Sequence, residues 1–257
     1  NPSGVNMVSW NWKAGGSASS NSSGDITSSV SVDTTAGFSI VSYTGNGSSG
    51  ATVGHSLSAK PGLMIIKNRD ESDSWQVYHH KNTSAPATET LQLNETGATS
   101  DTSNRWNDTE PTTTLFTLGD NPTVNKNTIK YIGYIFAEKI GYSKFGSYIG
   151  NGNADGTFVF CGFKPAWVMV KPTEAADNWV MFDNKRHNAI NSSTAPYQFY
   201  ANKNFAETTD TKQLDFLSNG FKIRNSGNTI NRTSTFVYMA FAESPFVTST
   251  GIPCTAR

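Results

Sequence analysis

The sequence contains few of the residues that build reactive or strongly charged sites. Its 257 residues include two cysteines and four histidines, and 16% are charged, with equal numbers of acidic and basic side chains. Cys161 and Cys254 form no CxxC pattern, so a thiolate metal site or a redox motif is not expected. Whether the two pair in a disulfide depends on their distance in the fold. Because the net charge is zero, the chain is not expected to bind nucleic acid through a general electrostatic field.

Long apolar runs and catalytic signatures are also missing. No apolar run approaches the roughly 20 residues that a membrane-crossing helix needs, so membrane insertion is not expected. The N-terminus lacks the basic and apolar regions of a signal peptide, and the missing initiator methionine suggests a processed product or the C-terminal part of a longer protein. There is no GxSxG elbow, P-loop or dinucleotide fingerprint. We therefore predict a non-enzymatic protein without catalytic residues, metal or cofactor.

Glycine, small polar residues and aromatic side chains are abundant instead. Glycine occurs 22 times, and aromatic residues make up 12% of the chain. Gly and Asn accept the positive φ of tight turns, whereas Val, Ile, Thr and aromatic residues fit a pleated surface. The apolar runs are about 4 to 8 residues long and end at Gly or Pro, which favours strands over helices. The sequence predicts an all-β fold.

The chain also repeats itself between residues 37 and 243. Landmark residues return 104 or 105 positions later, and the register slips by only one residue across the unit. The recurring pairs include Asn46 and Asn151, Pro61 and Pro165, Trp75 and Trp179, Phe116 and Phe221, and Glu138 and Glu243. Such a unit is longer than a solenoid or propeller repeat, about 20 to 50 residues, and has the usual size of a domain, about 100 to 150 residues. The pattern indicates an internal duplication.

We predict two tandem homologous β-sandwich domains of jelly-roll or concanavalin-like type. The predicted divisions are lead-in strands at residues 1–35, a first repeat at 36–139, a second repeat at 140–244 and a C-terminal tail at 245–257. In the lead-in, Trp10 and Trp12 alternate with polar residues and are expected on one strand face. The lead-in either adds strands to the first domain or links it to an N-terminal body.

Four segments carry a resemblance to a known family. They are residues 10–16 (WNWKAGG), 37–55 (GFSIVSYTGNGSSGATVGH), 141–159 (GYSKFGSYIGNGNADGTFV) and 241–257 (FAESPFVTSTGIPCTAR). Together they resemble a domain common in structural proteins of tailed bacteriophages, especially marine phages. In that family the domain looks like the C-terminal part of tail-fibre or other virion-surface proteins, often beside concanavalin-like β-sandwich modules. The resemblance implies a place on the virion surface and carries over no catalytic or ligand residues.

The resemblance leads us to expect a virion structural protein, a tail-fibre or adhesin module that contacts a glycan or an envelope protein of the host surface. The expected partners are other virion proteins and further copies of the chain, with a trimer as one arrangement. Two alternatives stay open. The first is a capsid decoration or fibre-assembly protein without receptor binding, and the second is a carbohydrate-binding module or carbohydrate-active enzyme.

Binding residues are expected in the variable segments between the repeated strands, because loops on a rigid β scaffold usually carry recognition. These segments are residues 82–107 and 187–204. An aromatic face stacks on the apolar side of a sugar ring, while amides bind its hydroxyls. Trp106 is a better candidate for exposure than the duplicated tryptophans, and simple packing under a loop is its other interpretation. The predicted ligand-binding residues are Asn104, Trp106, Asn107, Asp108 and His187.

Several other polar motifs are better explained without a ligand. Residues 151–156 (NGNADG) begin like a calcium loop, but the twelfth position is glycine where a bidentate Glu is needed, so a hairpin turn is expected. His79 and His80 would point to opposite faces of a strand, which prevents joint metal binding. Glu138 and Glu243 each follow an apolar strand and are expected at the surface or paired with the next segment.

Overall fold

The chain folds into β-sheets joined by turns and short helices, and the predicted all-β class is confirmed. A computed structural model describes residues 7–186, 197–209 and 213–243. The strands of the first half are β1 Ser19–Asn21, β2 Ser28–Asp33, β3 Phe38–Thr44, β4 Ala51–Gly54, β5 Leu63–Asn68, β6 Gln76–His79, β7 Glu89–Gln92, β8 Ser100–Asp101, β9 Leu115–Leu118 and β10 Lys130–Phe136. Those of the second half are β11 Ser143–Ile149, β12 Phe158–Phe160, β13 Pro165–Pro172, β14 Val180–Asp183, β15 Tyr197–Tyr200, β16 Thr208–Thr209, β17 Leu214–Leu217, β18 Gly220–Ile223 and β19 Thr235–Ala242. The short helices are α1 Ser103–Trp106, α2 Pro122–Asn125 and α3 Asn228–Asn231, with a 3₁₀ turn at Pro86–Thr88.

The described strands form four sheets in which neighbouring strands are antiparallel. The first half forms an eight-stranded sheet in the order β1-β2-β3-β10-β5-β6-β7-β8 and a two-stranded sheet, β4-β9. The second half forms a six-stranded sheet in the order β11-β19-β13-β14-β15-β16 and a three-stranded sheet, β12-β18-β17. Each sheet therefore draws its strands from one half of the chain.

The central strands of the eight-stranded sheet are buried on both faces. Met64 and Ile66 of β5 face the core that this sheet shares with the two-stranded sheet. Leu63 and Ile65 face the opposite way, into a cluster shared with the second half. Side chains alternate along a strand, so a strand covered on both faces needs an unbroken apolar run. This double burial explains the run at residues 63–66.

The six-stranded sheet is built in the same way. Val168 and Val170 of β13 face the core beneath the three-stranded sheet, whereas Trp167 and Met169 face the shared cluster. The two large sheets therefore pack face to face, and each carries its own small sheet on its outer side. The shared cluster includes the buried side chains of Leu63, Ile65, Val77, Phe136, Trp167, Met169, Val237 and Phe241.

Corresponding tyrosines make the same hydrogen bond in the two halves. The hydroxyl of Tyr43 donates to the carbonyl of Val124 in α2 at 2.7 Å. The hydroxyl of Tyr148 donates to the carbonyl of Ile230 in α3, also at 2.7 Å. In each half, this bond ties the first long strand to the short helix that precedes the last strand.

Two buried asparagines hold the glycine-rich turns in the same manner. The side-chain oxygen of Asn125 accepts from the backbone N–H of Asn46 at 2.9 Å. The side-chain oxygen of Asn231 accepts from the backbone N–H of Asn151 at 3.0 Å. Both asparagine side chains are fully buried, so each turn is anchored from within the fold.

The recurring tryptophans also lie in similar surroundings. The backbone N–H of Trp75 donates to Asn94 Oδ1 at 2.8 Å, and that of Trp179 donates to Asn202 Oδ1 at 3.0 Å. Trp179 is buried in the shared cluster, and Trp75 packs against that cluster. The indole N–H of Trp179 also donates to the carbonyl of Gln92 at 2.9 Å, which joins the two halves.

The lead-in segment contacts both halves. Its strands β1 and β2 extend the eight-stranded sheet beyond β3. Trp10 and Trp12 precede these strands, outside any strand, and both are half-buried against the shared cluster. Their rings lie 6.3 Å and 5.4 Å from that of Trp167, centroid to centroid. The N-terminal segment therefore packs on the second half before the chain enters the first.

Candidate functional site

A polar groove lies where the two halves meet. It encloses about 600 Å³. The first half lines it with Lys81, Asn82, Thr83, Ser84, Glu89, Ala98, Thr99 and Asp101, and the second half with Ser147, Thr173, Glu174 and Thr235. Hydroxyl, amide and carboxylate groups dominate this lining, and none of these residues is aromatic. We call this cavity the polar groove.

Hydrogen bonds within each half, and one between the halves, fix the walls of the polar groove. The backbone N–H of Asn82 closes a turn on the carbonyl of His79 at 2.9 Å, just after β6. The side-chain oxygen of Asn82 accepts from the hydroxyl of Thr99 at 2.7 Å. The backbone N–H of Thr99 then donates to the carbonyl of Thr173 at 2.8 Å, and that of Thr173 to the carbonyl of Thr235 at 3.0 Å. The loop of the first half is thus fastened to the sheet of the second.

Two buried polar atoms of the lining have no hydrogen-bond partner within the part of the chain that the structure describes. They are the donor Nδ2 of Asn82 and the acceptor Oε2 of Glu89. Asn82 is 2% exposed, and Glu89 is half-buried at the start of β7. A buried donor or acceptor left without a partner costs about 1–3 kcal/mol. The wall of the groove therefore holds one buried donor and one buried acceptor that no described residue satisfies.

The charged side chains of the polar groove are mainly acidic. Glu89, Asp101 and Glu174 line it, against the single cation Lys81. Like charges repel, so a phosphate, sulfate or carboxylate group is disfavoured there. A neutral or cationic ligand fits this charge pattern better than an anionic one.

A buried lysine stands next to the groove in the second half. The ammonium group of Lys171 donates to the carbonyls of Thr96 at 3.3 Å and Pro172 at 2.9 Å. The same carbonyl of Thr96 accepts from the backbone N–H of Asp177 at 2.9 Å. Burial lowers the pKa of Lys171 to about 8, because desolvation disfavours the charged form. Lys171 therefore links the second half to the first through its hydrogen bond to Thr96.

A second cavity of about 350 Å³ lies nearby and is lined by Lys60, Tyr78, His80 and Glu110 among others. Lys60 and Glu110 pair with each other across it. The ring Nε2 of His80 lies 2.6 Å from the carbonyl of Phe145, and burial lowers the pKa of this histidine. The buried hydroxyl of Tyr78 has no partner among the described residues. The histidine is thus engaged by the backbone of the second half rather than available as a base.

Of the two interpretations of Trp106, packing is the one that the structure shows, and exposure is wrong. This residue ends α1 and is 0% exposed. Its ring packs edge-on against Tyr78 with centroids 6.0 Å apart, and its indole N–H donates to the carbonyl of Glu89 at 3.0 Å. The single turn of helix directs the tryptophan inward, although the sequence around it is polar. Its ring face is therefore not offered to a ligand.

The other predicted site residues do not line the polar groove. Asn107 adopts a left-handed conformation with φ of 53°, and its side-chain oxygen accepts from the hydroxyl of Ser49 at 2.7 Å. Asp108 is exposed beside it, and Asn104 is half-buried within α1. Asn107 thus ends the helix and ties it to the glycine-rich turn. His187 lies outside the described residues.

The buried histidines make backbone contacts instead of forming a metal site. Nε2 of His79 lies 3.1 Å from the carbonyl of Tyr238, and Nε2 of His55 lies 3.3 Å from that of Thr112. Burial lowers the pKa of His79 to about 3 and that of His55 to about 4. Among the residues that the structure describes, no three His, Cys, Asp or Glu side chains are grouped so that they could hold a metal ion.

The carboxylates noted in the sequence are engaged in ion pairs. Asp155, in the loop that resembles a calcium site, lies 2.8 Å from the ammonium of Lys222. Glu138 pairs with Lys144 at 3.0 Å, and Glu243 pairs with Lys164 at 2.6 Å. The bond from Lys164 lowers the pKa of Glu243. The two glutamates that follow apolar strands thus each form an ion pair with a lysine.

One of the comparisons with known proteins places the chain in a family. A family model described as a domain of unknown function matches residues 1–245. The chain belongs to the DUF7483 family. No curated protein and no solved structure matches the chain significantly. In the described ranges of this DUF7483 chain, the helices are too short and too polar for any of them to cross a membrane.

Only one side of the polar groove falls within a segment that the sequence marks for recognition. Asn82, Glu89 and Thr99 fall within the variable segment 82–107 that was predicted to carry recognition. The residues of the second half that line the groove, Ser147, Thr173, Glu174 and Thr235, were not predicted. No local pattern marks them, because the groove forms only when the two large sheets pack against each other.

Proposed function

We propose that the chain is a non-enzymatic virion-surface module that binds a host glycan in the polar groove. The observation that supports glycan binding is the lining of a groove of about 600 Å³ by hydroxyl, amide and carboxylate groups from both halves. A sugar hydroxyl both donates and accepts hydrogen bonds, so it can serve a carboxylate oxygen and an amide N–H. The hydroxyl groups of Thr99, Thr173 and Thr235 add further partners of the same kind.

The charge of the lining narrows the ligand class. Because Glu89, Asp101 and Glu174 outnumber Lys81, the ligand is a neutral or amino sugar rather than an acidic one. None of the lining residues is aromatic, so binding rests on hydrogen bonds rather than on ring stacking. Single-site affinity is then modest, and several copies on one particle raise the overall avidity. Self-association, for example as a trimer, serves that purpose.

The virion location rests on the resemblance of residues 37–55 and 141–159 to structural proteins of tailed phages. In this proposal the chain is part of a tail fibre or similar adhesin, and its partners are other virion proteins and the host surface. An envelope protein of the host is a second receptor class. Binding to deproteinised polysaccharide would support a glycan receptor. Binding to host envelopes that is lost after protease treatment would support a protein receptor.

We also propose that the two halves are homologous β-sandwich domains that arose by duplication, at residues 36–139 and 140–244. The matching bonds of Tyr43 and Tyr148 and of Asn125 and Asn231 support this origin. Chemically equivalent contacts at a constant sequence offset are expected if both halves descend from one folding unit.

The binding proposal is tested on an array of neutral, amino-bearing and acidic bacterial polysaccharides. The native chain is expected to bind neutral or amino-bearing glycans, and Glu174→Gln is expected to weaken that binding. Asp108→Asn is the matched control, because Asp108 is exposed and does not line the groove. Binding that survives Glu174→Gln but is lost in Asp108→Asn would move the site to the predicted loop and contradict the proposal.

A carbohydrate-active enzyme is a second candidate, favoured by the three carboxylates that line one groove. Glycoside hydrolysis uses a pair of carboxylates on either side of the scissile bond. The measurement is the release of reducing ends from any polysaccharide that binds. Release by the native chain that disappears in Glu89→Gln or Glu174→Gln would establish the enzyme and refute the non-enzymatic proposal.

A decoration or fibre-assembly role without receptor binding is the third candidate. The exposed Phe158 and Phe160 on the outer small sheet favour it, because exposed aromatic groups often mark contacts between proteins. Tight association with purified virions, together with a blank glycan array, would support assembly over adhesion.

A further inference from the structure

One stretch of the first half, residues 92–99, is held against the second half at both of its ends. At the start, the carbonyl of Gln92 accepts from the indole N–H of Trp179 at 2.9 Å. At the end, the backbone N–H of Thr99 donates to the carbonyl of Thr173 at 2.8 Å. We call this stretch the crossing segment. Because Thr99 lines the polar groove, the position of the crossing segment sets the position of one groove wall.

Lys171 holds the middle of the crossing segment. Its Nζ donates to the carbonyl of Thr96 in that segment at 3.3 Å and to the carbonyl of Pro172 at 2.9 Å. The side chain is 0% exposed. Among the described residues, these two neutral carbonyls are its hydrogen-bond acceptors, and it forms no ion pair there. The amine is therefore buried without a counter-ion in contact.

The neutral form of this amine fits its surroundings better than the charged form does. An ammonium group has three N–H donors, whereas a neutral amine has two. The two carbonyls therefore satisfy the neutral amine and leave one N–H of the ammonium without a described partner. Burying a charge that is not paired is costly. Burial accordingly lowers the pKa of Lys171 from 10.5 to about 8.

The charged groups around Lys171 do not offset this cost. The carboxylate of Asp177 raises the pKa of Lys171 and the guanidinium of Arg232 lowers it, each by less than desolvation does. These two groups pair with each other at 2.5 Å. Glu95 in the crossing segment and Glu174 after β13 are exposed, so water and salt screen their charges. Desolvation thus decides which form of the amine is favoured.

The corresponding lysine of the first half makes a different contact. Lys67 lies 104 positions before Lys171 in the repeat. Its Nζ donates to the carbonyls of Asn68 at 2.7 Å and Glu71 at 3.4 Å. Both acceptors belong to its own half, and Lys67 is half-buried. Of the two lysines, Lys171 is therefore the one that reaches across to the other half.

We propose that Lys171 is a proton-sensitive switch at the contact between the halves. The neutral amine keeps the crossing segment docked, and proton uptake favours an undocked state in which the segment and its groove wall move away and the ammonium is hydrated. A glycan that contacts both walls of the polar groove requires the docked state, and this last step rests on the proposed function.

Amide hydrogen exchange of the native chain at pH 7 and pH 9, measured without glycan, tests the switch. The reporters are the amides of Thr99 and Asp177, each of which donates to the opposite half. Their protection factors, corrected for the intrinsic effect of pH on exchange, should rise by about tenfold from pH 7 to pH 9. The reason is that Lys171 has a pKa of about 8 when docked and regains its ordinary value of 10.5 when hydrated.

Two variants show whether Lys171 causes this rise. Lys171→Met removes the titrating group and should abolish the rise, whereas the matched control Lys67→Met should keep it. A flat profile in the native chain, or an equal rise in Lys171→Met, would overturn the proposal. So would protection of Thr99 and Asp177 equal to that of the buried Val170 at both pH values, since the segment would then open only with the whole chain.

A measurement with glycan connects the switch to the polar groove. A neutral glycan that binds on the array is added to the native chain at about 100 times its dissociation constant. The protection of Thr99 should then rise by about a further 100-fold, because only the docked state binds. Unchanged protection would overturn the connection to the groove. An array without any binding would refute the proposed function, whereas the glycan-free exchange still decides on the switch.

Discussion

Replacing the two buried asparagines by alanine is the sharpest test of how each half anchors its glycine-rich turn. Asn125 donates through Nδ2 to the carbonyls of Ser48 at 2.9 Å and Gly119 at 3.0 Å. Asn231 donates through Nδ2 to the carbonyls of Asn153 and Asn225, both at 2.7 Å. Each side chain also accepts from the turn that it anchors. Asn125→Ala and Asn231→Ala should therefore produce matching losses.

The magnitude follows from the number of bonds removed. Each side chain loses three such hydrogen bonds and a weaker amide contact, and a typical bond contributes about 1 kcal/mol net. The exposed turn groups can be hydrated in the variants, whereas the carbonyl of Gly119 is buried and cannot. We expect each variant to lose about 3 kcal/mol of unfolding free energy, with the two losses within about 1 kcal/mol of each other. For a chain of this size that is a fall in Tm of roughly 6–12 °C.

Chemical and thermal unfolding, followed by tryptophan fluorescence, measure these losses. Asn127→Ala and Asn228→Ala are the controls, because both side chains are exposed near the same helices and surface substitutions usually change stability by less than about 0.5 kcal/mol. A loss below about 1 kcal/mol in either buried variant would refute the reasoning. So would a large loss in one half with none in the other, since the two asparagines would then have different roles.

Three further predictions concern single buried side chains. Trp106→Ala should lower stability by about 3–5 kcal/mol in thermal unfolding, because it empties a core site, yet leave glycan binding by the folded variant unchanged. Burial lowers the pKa of Lys171 from 10.5 to about 8, so the unfolded chain binds more protons between these values. The stability of the native chain relative to Lys171→Met should therefore rise from pH 8 to pH 10, and a flat difference would contradict the burial of the charge. Burial lowers the pKa of His79 from 6.5 to about 3, so the unfolding free energy should fall as the pH drops below 6.5. The fall should be less steep in His79→Gln. Equal slopes in the two chains would contradict the burial of a neutral His79.

The constant offset in the sequence is the part of the structure that could be predicted residue by residue. It paired Asn46 with Asn151 and Trp75 with Trp179, and these residues do occupy similar surroundings. The short apolar runs predicted strands, but they did not show why the run at residues 63–66 is unbroken. The reason is the packing of two large sheets against each other, which depends on contacts between residues far apart in sequence.

The binding surface shows the limit of local patterns more clearly. The polar sequence around Trp106 left exposure and packing both open, and one turn of helix and a partner carbonyl on Glu89 place the ring in the core. The segment 82–107 was predicted as a recognition loop, and part of it lines the polar groove. The opposite wall could not be predicted, because Thr173 and Glu174 join the site only through the packing of the halves.

Calorimetric titration of the native chain and Glu89→Gln with a neutral or amino-bearing glycan that binds on the array tests the account most directly. Glu89→Gln keeps the shape of the side chain but removes its charge, so a ligand hydroxyl that donates to the carboxylate loses a charge-assisted hydrogen bond. The account predicts an affinity at least about tenfold lower than native, while Asp108→Asn binds as the native chain does. Native affinity in Glu89→Gln would contradict the assignment of the polar groove as the binding site.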